Sequence, residues 1–377
     1  MNDKMKKTAP IVSVGADTEQ SSENSSVDII NNDTDYFNSY EEIRGDMFWL
    51  PDESYLKTVS MSELYDTVFQ SKPPIIEGLL YPGTYIFAGA PKLGKSFLMA
   101  QLAYHISTGT PLWNYTTRKG TVLYLALEDD YRRLQERLYR MFGTDCVDDL
   151  YFSVKAEHLG KGLDEQLNNF ITDHPHTNLI IIDTLQKIRE TSGDSYSYSN
   201  DYDVISRIKS FTDSKGICIL LVHHTRKQGA DDKFDMISGT TGLLGAADGG
   251  FVLQKEKRTA NNAILEISGR DQPDQKLYLI RNPNTLLWEL DRAETELWKA
   301  PVEPLLEIIA NFINADNPKW CGTPTELVSA LQIEAKPNTI SKKLNVNAGR
   351  MFNEYGIIYD NKRTHEGRRI TLKLITA

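Results

Sequence analysis

The chain has 377 residues, a formal net charge of −10, and 40% apolar and 25% charged residues. This is the balance of a globular protein of about two or three domains, and its acidic total excludes a protein that coats nucleic acid by bulk charge. Its three cysteines, Cys146, Cys218 and Cys321, are far apart and form no C-x-x-C, so neither a disulfide framework nor a zinc site is expected. No apolar run of signal-peptide or membrane-span length is present, and the expected location is the cytoplasm, with no membrane partner.

Residues 1–45 are rich in Ser, Asn, Asp and Glu and read as a disordered polar tail. A lead-in over 46–78 follows, with a helical pattern from Met61 to Phe69 that stops before Pro73-Pro74. Over 79–292 apolar strands alternate with helices, which predicts an α/β fold with a mostly parallel, doubly covered sheet. The strand candidates are Tyr85–Ala88, Val122–Leu127, Leu179–Ile182, Ile217–Val222 and Phe251–Leu253. A hairpin is expected from Ala263–Ile267 and Leu277–Ile280.

The first strand runs into Gly89, Ala90, Pro91, Lys92, Leu93, Gly94, Lys95 and Ser96, which fits the G-x-x-x-x-G-K-[S/T] phosphate loop at every fixed position. Small residues let backbone N–H groups face the phosphates, and the helix that starts there adds its positive end. Lys95 suits the β- and γ-phosphates of ATP, and Ser96 offers its hydroxyl to Mg2+. Phe97 completes the expected contact set, while Lys92 is also readable as a solvated loop lysine. Leu179–Asp183 is a buried strand ending in a carboxylate, the arrangement in which Asp183 holds the Mg2+ shell. Val122–Glu128 is a second strand ending in an acid. Glu128 is the candidate to orient and deprotonate the attacking water. The alternative is an acid that starts the next helix, a role that Asp129 and Asp130 suit equally.

This set, with Leu127-Glu128-Asp129, Ile182-Asp183-Thr184 and Val222-His223-His224-Thr225-Arg226-Lys227, resembles the RepA-type hexameric replicative helicases of plasmids and mobile elements, within the wider RecA/DnaB ATPase group. Ile237–Gly242 and Gly269-Arg270-Asp271 look like the mobile-element branch. The resemblance spans about residues 75–292 and implies a RecA-like core. It supports Glu128 as the catalytic glutamate and makes His224 the sensor of the γ-phosphate. It also implies a trans arginine finger. Arg270 is the candidate, although the DnaB-like Lys-x-Arg element is not matched and the RepA finger lies nearer Phe251; Lys255, Lys257 and Arg258 remain alternatives. The implied assembly is a homo-oligomer, a hexameric ring, that works with replication proteins.

In such rings the loops after the Asp183 and His224 strands face single-stranded DNA. Here they are Glu190 to about Tyr202, with Tyr196, Tyr198 and Tyr202 able to stack bases, and Thr225 to about Leu244, with Arg226, Lys227 and Lys233. The segment 293–377 reads as a small winged helix-turn-helix. It has a helix through Leu305–Ile313, a second starting at the Thr323–Glu326 capping box, and a third carrying Ile340, Leu344 and Met351. A strand of alternating Ile370, Leu372 and Leu374 ends it. From Lys336 onward nine bases oppose three acids, a local charge of +6. Lys342 and Lys343 fall on the expected recognition helix, and Lys362, Arg363, Arg368 and Arg369 on the wing, a footprint for duplex DNA. The expected function is an ATP-hydrolysing DNA helicase or translocase for replication of a plasmid, phage or integrated element. The rivals are a RecA-like recombination or repair ATPase and an ATP-gated DNA-binding regulator without motor activity.

Overall fold

The computed structural model describes residues 56, 58–69, 72–189, 198–225, 233–237, 241–255, 257, 260–270, 272–295, 303–365 and 367–375. The polar tail, Tyr196, Arg226, Lys227, residues 238–240, Arg258 and Asp271 lie outside these residues. The chain divides into Met1–Val59 and Ser60–Ala377, and the description concerns the second unit.

Nine strands form one sheet: β1 (Gly83–Gly89), β2 (Thr121–Ala126), β3 (Leu150–Ser153), β4 (Thr177–Asp183), β5 (Cys218–His224), β6 (Gly249–Gln254), β7 (Asn262–Gly269), β8 (Gln272–Arg281) and β9 (Trp288–Thr295). Their order is β3-β2-β4-β5-β1-β6-β7-β8-β9. The pairs from β3 to β6 are parallel, and those from β6 to β9 are antiparallel. Every residue of β1, β2 and β4 is buried, as expected for parallel strands covered on both faces.

Successive side chains on these strands enter two different cores. Phe87, Ile181 and Val222 face one side, with Leu98, Met99 and Ile106 of α2 (Lys95–Thr108) and Leu134 and Met141 of α3 (Tyr131–Phe142). Ile86, Ile180 and Leu221 face the other, with Leu163 and Leu167 of α4 (Leu163–Asp173), Leu185 and Ile188 of α5 (Leu185–Ile188), Ile205 and Ile208 of α6 (Tyr198–Lys215), and Leu243 of α7 (Thr241–Ala246). This topology brings the C-terminal ends of β1, β2, β4 and β5 to one edge, where open α/β sheets bind ligands.

Two expected loops are partly helical. Tyr198 and Tyr202 belong to α6 because Ile205, Ile208 and Thr212 recur at helical spacing and are buried against the sheet. The second loop closes in a 3-10 turn over Phe234–Met236 and then α7.

Beyond the large sheet come α8 (Pro304–Phe312), β10 (Lys319–Gly322), α9 (Pro324–Leu331), α10 (Pro337–Val346), α11 (Ala348–Tyr355), β11 (Ile357–Thr364) and β12 (Gly367–Leu374). The capping box at Thr323 and Glu326 forms as read. A three-stranded sheet, β10-β12-β11, packs on these helices around Leu306, Ile309, Leu344, Met351 and Ile370. Ile340 and Leu344 do not share a helix with Met351. The Asn347 side chain donates to the Lys343 carbonyl at 2.8 Å, alongside its own backbone N–H at 3.1 Å. That local competition ends α10, and α11 restarts on the Asn347 carbonyl, so the three side chains meet in one core from two helices. The lead-in helix α1 (Met61–Asp66) has a capping box of its own at Ser60 and Glu63.

Candidate nucleotide site

Gly89 ends β1, and the turn to α2 needs its glycines for different reasons. A Cβ on Gly89 would stand 2.8 Å from the Leu253 carbonyl oxygen, closer than side chains come. Gly94 takes φ +100°, in the left-handed region, with Trp288 and Arg281 packed against it. Pro91 and Lys92 are exposed, Leu93 is buried, and Ala90, Ser96 and Phe97 are half-buried.

Lys95 is buried and donates to the carbonyls of Gly89 at 2.8 Å and Ala90 at 3.2 Å, with His224 Nδ1 at 3.3 Å. Burial holds its ammonium below the usual lysine range, while Asp183 and Glu128 pull the other way. Ser96 Oγ donates to Asp183 Oδ2 at 2.7 Å, which unites the last turn of the loop with the end of β4. Burial raises the Asp183 carboxyl, against the lowering effect of hydrogen bonds from Ser96 and Tyr124.

The acids after β2 separate into distinct roles. Asp130 caps α3, its Oδ1 accepting from Arg133 N at 2.9 Å. Asp129 pairs with Arg137 at 2.6 Å and Arg133 at 3.3 Å. Glu128 takes neither contact: its Oε1 accepts from the Thr184 hydroxyl at 3.2 Å, beside Asp183. The helix-start alternative for Glu128 is therefore filled by its neighbours. His224 lies directly opposite Gly89 in the β1–β5 register. Burial, then the Lys95 charge, holds its imidazole below the usual histidine range. His223, on the opposite face, is buried.

Arg270 is placed elsewhere. Gly269 pairs with Gly249 at the start of β6, whereas Leu253 near the other end pairs with Gly89, so roughly 13 Å of strand separates the two levels. The Arg270 guanidinium donates to the Gly245 carbonyl at 2.9 Å and is exposed. Lys255 lies nearer the phosphate loop, 5.3 Å over the Trp288 ring, and donates to the Ala260 carbonyl. Lys233 is half-buried, and Lys257 is exposed.

Two features escape the sequence reading. Tyr124, fully buried, donates from its hydroxyl to Asp183 Oδ2 at 2.9 Å. Its place four residues before Glu128 on an otherwise apolar strand was the available signal. Arg281 and Arg137 stand over the Phe97 ring at 4.2 and 5.0 Å, and burial followed by the Arg140 and Arg137 charges lowers the Arg281 guanidinium. Only the strand pairing brings β8 to this place.

The donor set fits a nucleotide with Mg2+. That ion takes one or two protein oxygens and completes its shell with phosphate and water, and Ser96 Oγ and Asp183 Oδ2 are two hard oxygen donors in contact. Among the described residues no cluster of three His, Cys, Asp or Glu offers an all-protein metal cage.

Residues 50–230 match the AAA domain family model. The match spans the phosphate loop, Glu128, Asp183 and His224, and with the loop geometry supports a nucleotide-binding P-loop domain. No curated protein matches the chain significantly. Among solved structures, the chain is similar to that of an ATPase domain, at 14% identity over 58% of this chain and 92% of that one, with a TM-score of 0.48. A DnaB-like replicative helicase, solved for its interactions with primase, is 15% identical over 69% of this chain and 68% of its own, with a TM-score of 0.46. A KaiC-like protein from the hyperthermophilic archaeon Pyrococcus horikoshii is 14% identical over 60% and 99%, with a TM-score of 0.43. No helix among the described residues is long and apolar enough to cross a membrane.

Proposed function

We propose that the chain is an ATP-driven helicase or translocase on single-stranded DNA, working as a ring-forming homo-oligomer, a hexamer, in replication of a plasmid, phage or integrated element alongside replication proteins. The observation that carries the reading is the meeting of Lys95, Ser96, Glu128, Asp183 and His224 at one edge of the sheet. Bound Mg2+ supplies charge neutralisation on the phosphates. The loop N–H groups hold the phosphate chain, and Lys95 exchanges the Gly89 and Ala90 carbonyls for phosphate oxygens. Glu128, oriented by the Thr184 hydroxyl, accepts the proton of the attacking water. His224, next to Lys95, reports loss of the terminal phosphate.

In this proposal Arg270 completes the neighbour's site as the trans finger, with Lys255, Lys257 and Arg258 as alternatives. The loops that carry Arg226, Lys227 and Lys233 grip single-stranded DNA. The segment from α8 to β12 acts as a winged helix-turn-helix, with Lys342, Lys343, Lys362, Arg363, Arg368 and Arg369 toward duplex DNA.

Steady-state turnover tests the nucleotide chemistry. Lys95→Ala abolishes hydrolysis, while Glu128→Gln binds a fluorescent ATP analogue within about twofold of wild type and turns over about 10²–10⁴ times more slowly. Near-normal turnover in Glu128→Gln contradicts its role as base.

A further inference from the structure

The β11–β12 hairpin sets like charges face to face. Arg363 pairs with Arg368, and Lys362 with Arg369, directly across the two strands. Like charges so placed repel and weaken a hairpin, so their stable arrangement calls for an anion. On the Arg363–Arg368 side one is present, and it comes from the far end of the chain. Arg368 holds Asp66 of α1 through both guanidinium ends, at 3.0 and 2.6 Å, in the two-pronged geometry that guanidinium also adopts on phosphate. The Arg368 hydrogen bond, followed by the charges of Arg368, Lys342 and Arg363, lowers the Asp66 carboxyl. Lys342 also stands 5.9 Å over the Tyr65 ring.

Asn345 adds an uncharged donor to this group. It is buried, and its Oδ1 is already engaged by the Tyr359 hydroxyl at 2.7 Å and by Asn361 at 3.0 Å. Its Nδ2 is therefore held as a donor, and the Tyr65 carbonyl near the end of α1 accepts from it at 2.8 Å. Three cations and an oriented amide thus converge on one place, and α1 meets them with a carboxylate and a carbonyl. A ligand that replaces α1 there must bring several acceptor oxygens and negative charge.

We propose that Lys342, Asn345, Arg363 and Arg368 form a binding site for a backbone phosphate of duplex DNA, and that Asp66 and the Tyr65 carbonyl occupy this site until DNA displaces them. The assignment rests on the reading of the C-terminal segment as a duplex-binding domain. The exchange is built to be reversible. Helix α1 has six residues, none of them buried, and is held on this face by Val68 packing beside the core and by the polar contacts named above. Engagement of DNA at this site frees the lead-in from the C-terminal domain, which links duplex binding to the segment that enters the ATPase sheet.

The test is fluorescence anisotropy of the full chain on a blunt duplex at several salt concentrations, with folding checked by thermal melts. Asp66→Ala removes the competing carboxylate. It is expected to tighten duplex binding about three- to tenfold at low salt, with a log K against log salt slope steeper by about one. Asp66→Asn, which keeps the size, moves affinity the same way. Arg368→Ala weakens binding, and Asp66→Ala adds nothing on that background. Unchanged or weaker binding in both Asp66 variants, with Arg368→Ala still weakened, overturns the exchange while the duplex-binding reading survives. No duplex binding by any of these proteins at low salt overturns that reading, and the phosphate site with it.

Discussion

Tyr124 contributes a single hydroxyl, yet it fixes one of two oxygens on Asp183, the carboxylate proposed to hold the Mg2+ shell. Ser96 and Tyr124 both donate to Oδ2 of Asp183, which sets the rotation of the carboxylate before any ligand binds. Partners of this outer kind change metal affinity by about ten- to a hundredfold. Tyr124→Phe keeps the ring and its packing against Phe152. Expected is a rise of about tenfold in the Mg2+ concentration needed for half-maximal nucleotide binding, with metal-free nucleotide affinity unchanged. Equal losses with and without metal would make the residue structural only. His224 bears on stability. Burial holds it and His105 below the ordinary value of 6.5, so the folded chain binds fewer protons there than the unfolded chain. Stability from these two groups is present above 6.5 and is lost as the pH falls from 6.5 through their folded values. Thermal melts should therefore decline on the acid side, and His224→Gln should flatten part of that decline. An unaltered slope would show that His224 is not held neutral by the fold. Of these residues, the loop was legible in the sequence by its fixed glycine and lysine spacing, and both strand-end acids by the apolar runs that they end. The resemblance favoured Glu128 over Asp129 and Asp130, but the residues alone left that choice open, because it depends on where α3 begins and where Arg137 reaches.

At the level of elements, β9 is joined to α2 by a clasp between distant residues. Gln101 on α2 donates to the Trp288 carbonyl at 2.9 Å and accepts from the Trp288 N–H at 2.8 Å, all within the core. Trp113 also donates to that carbonyl, so loss of Gln101 strands the buried N–H alone. An unsatisfied buried donor costs about 1–3 kcal/mol. Gln101→Ala should lower the unfolding free energy by that amount, read as a lower urea midpoint with an unchanged m value, and an unmoved midpoint would contradict the clasp. Strands β1, β2, β4 and β5 were readable because parallel strands buried on both faces are nearly continuous apolar runs. Strand β3 was not: its Leu150, Tyr151, Phe152 and Ser153 are half-buried or exposed at the sheet's edge, and the run of three apolar residues is too short to stand out. The break between α10 and α11 was hidden for another reason. Ile340, Leu344 and Met351 keep helical spacing through Asn347, whose side chain and backbone N–H both bond to the Lys343 carbonyl where the first helix ends.

Over the whole chain, an acidic protein carries an AAA-domain match at residues 50–230 and a basic hairpin beyond residue 360. The net charge of −10 concealed both the local cations and the acid that answers them, since Asp66 and Arg368 stand 302 positions apart in sequence. In the proposed helicase, hydrolysis at the Lys95–Asp183 edge is spent on moving DNA. The most direct measurement is strand displacement from a forked duplex with ATP, with wild type and Glu128→Gln compared at equal protein and DNA binding. Displacement by wild type that depends on ATP and is lost in Glu128→Gln is the predicted result. ATP hydrolysis by wild type with no displacement on forks of either tail polarity would contradict a motor and leave a nucleotide-gated DNA-binding protein in its place.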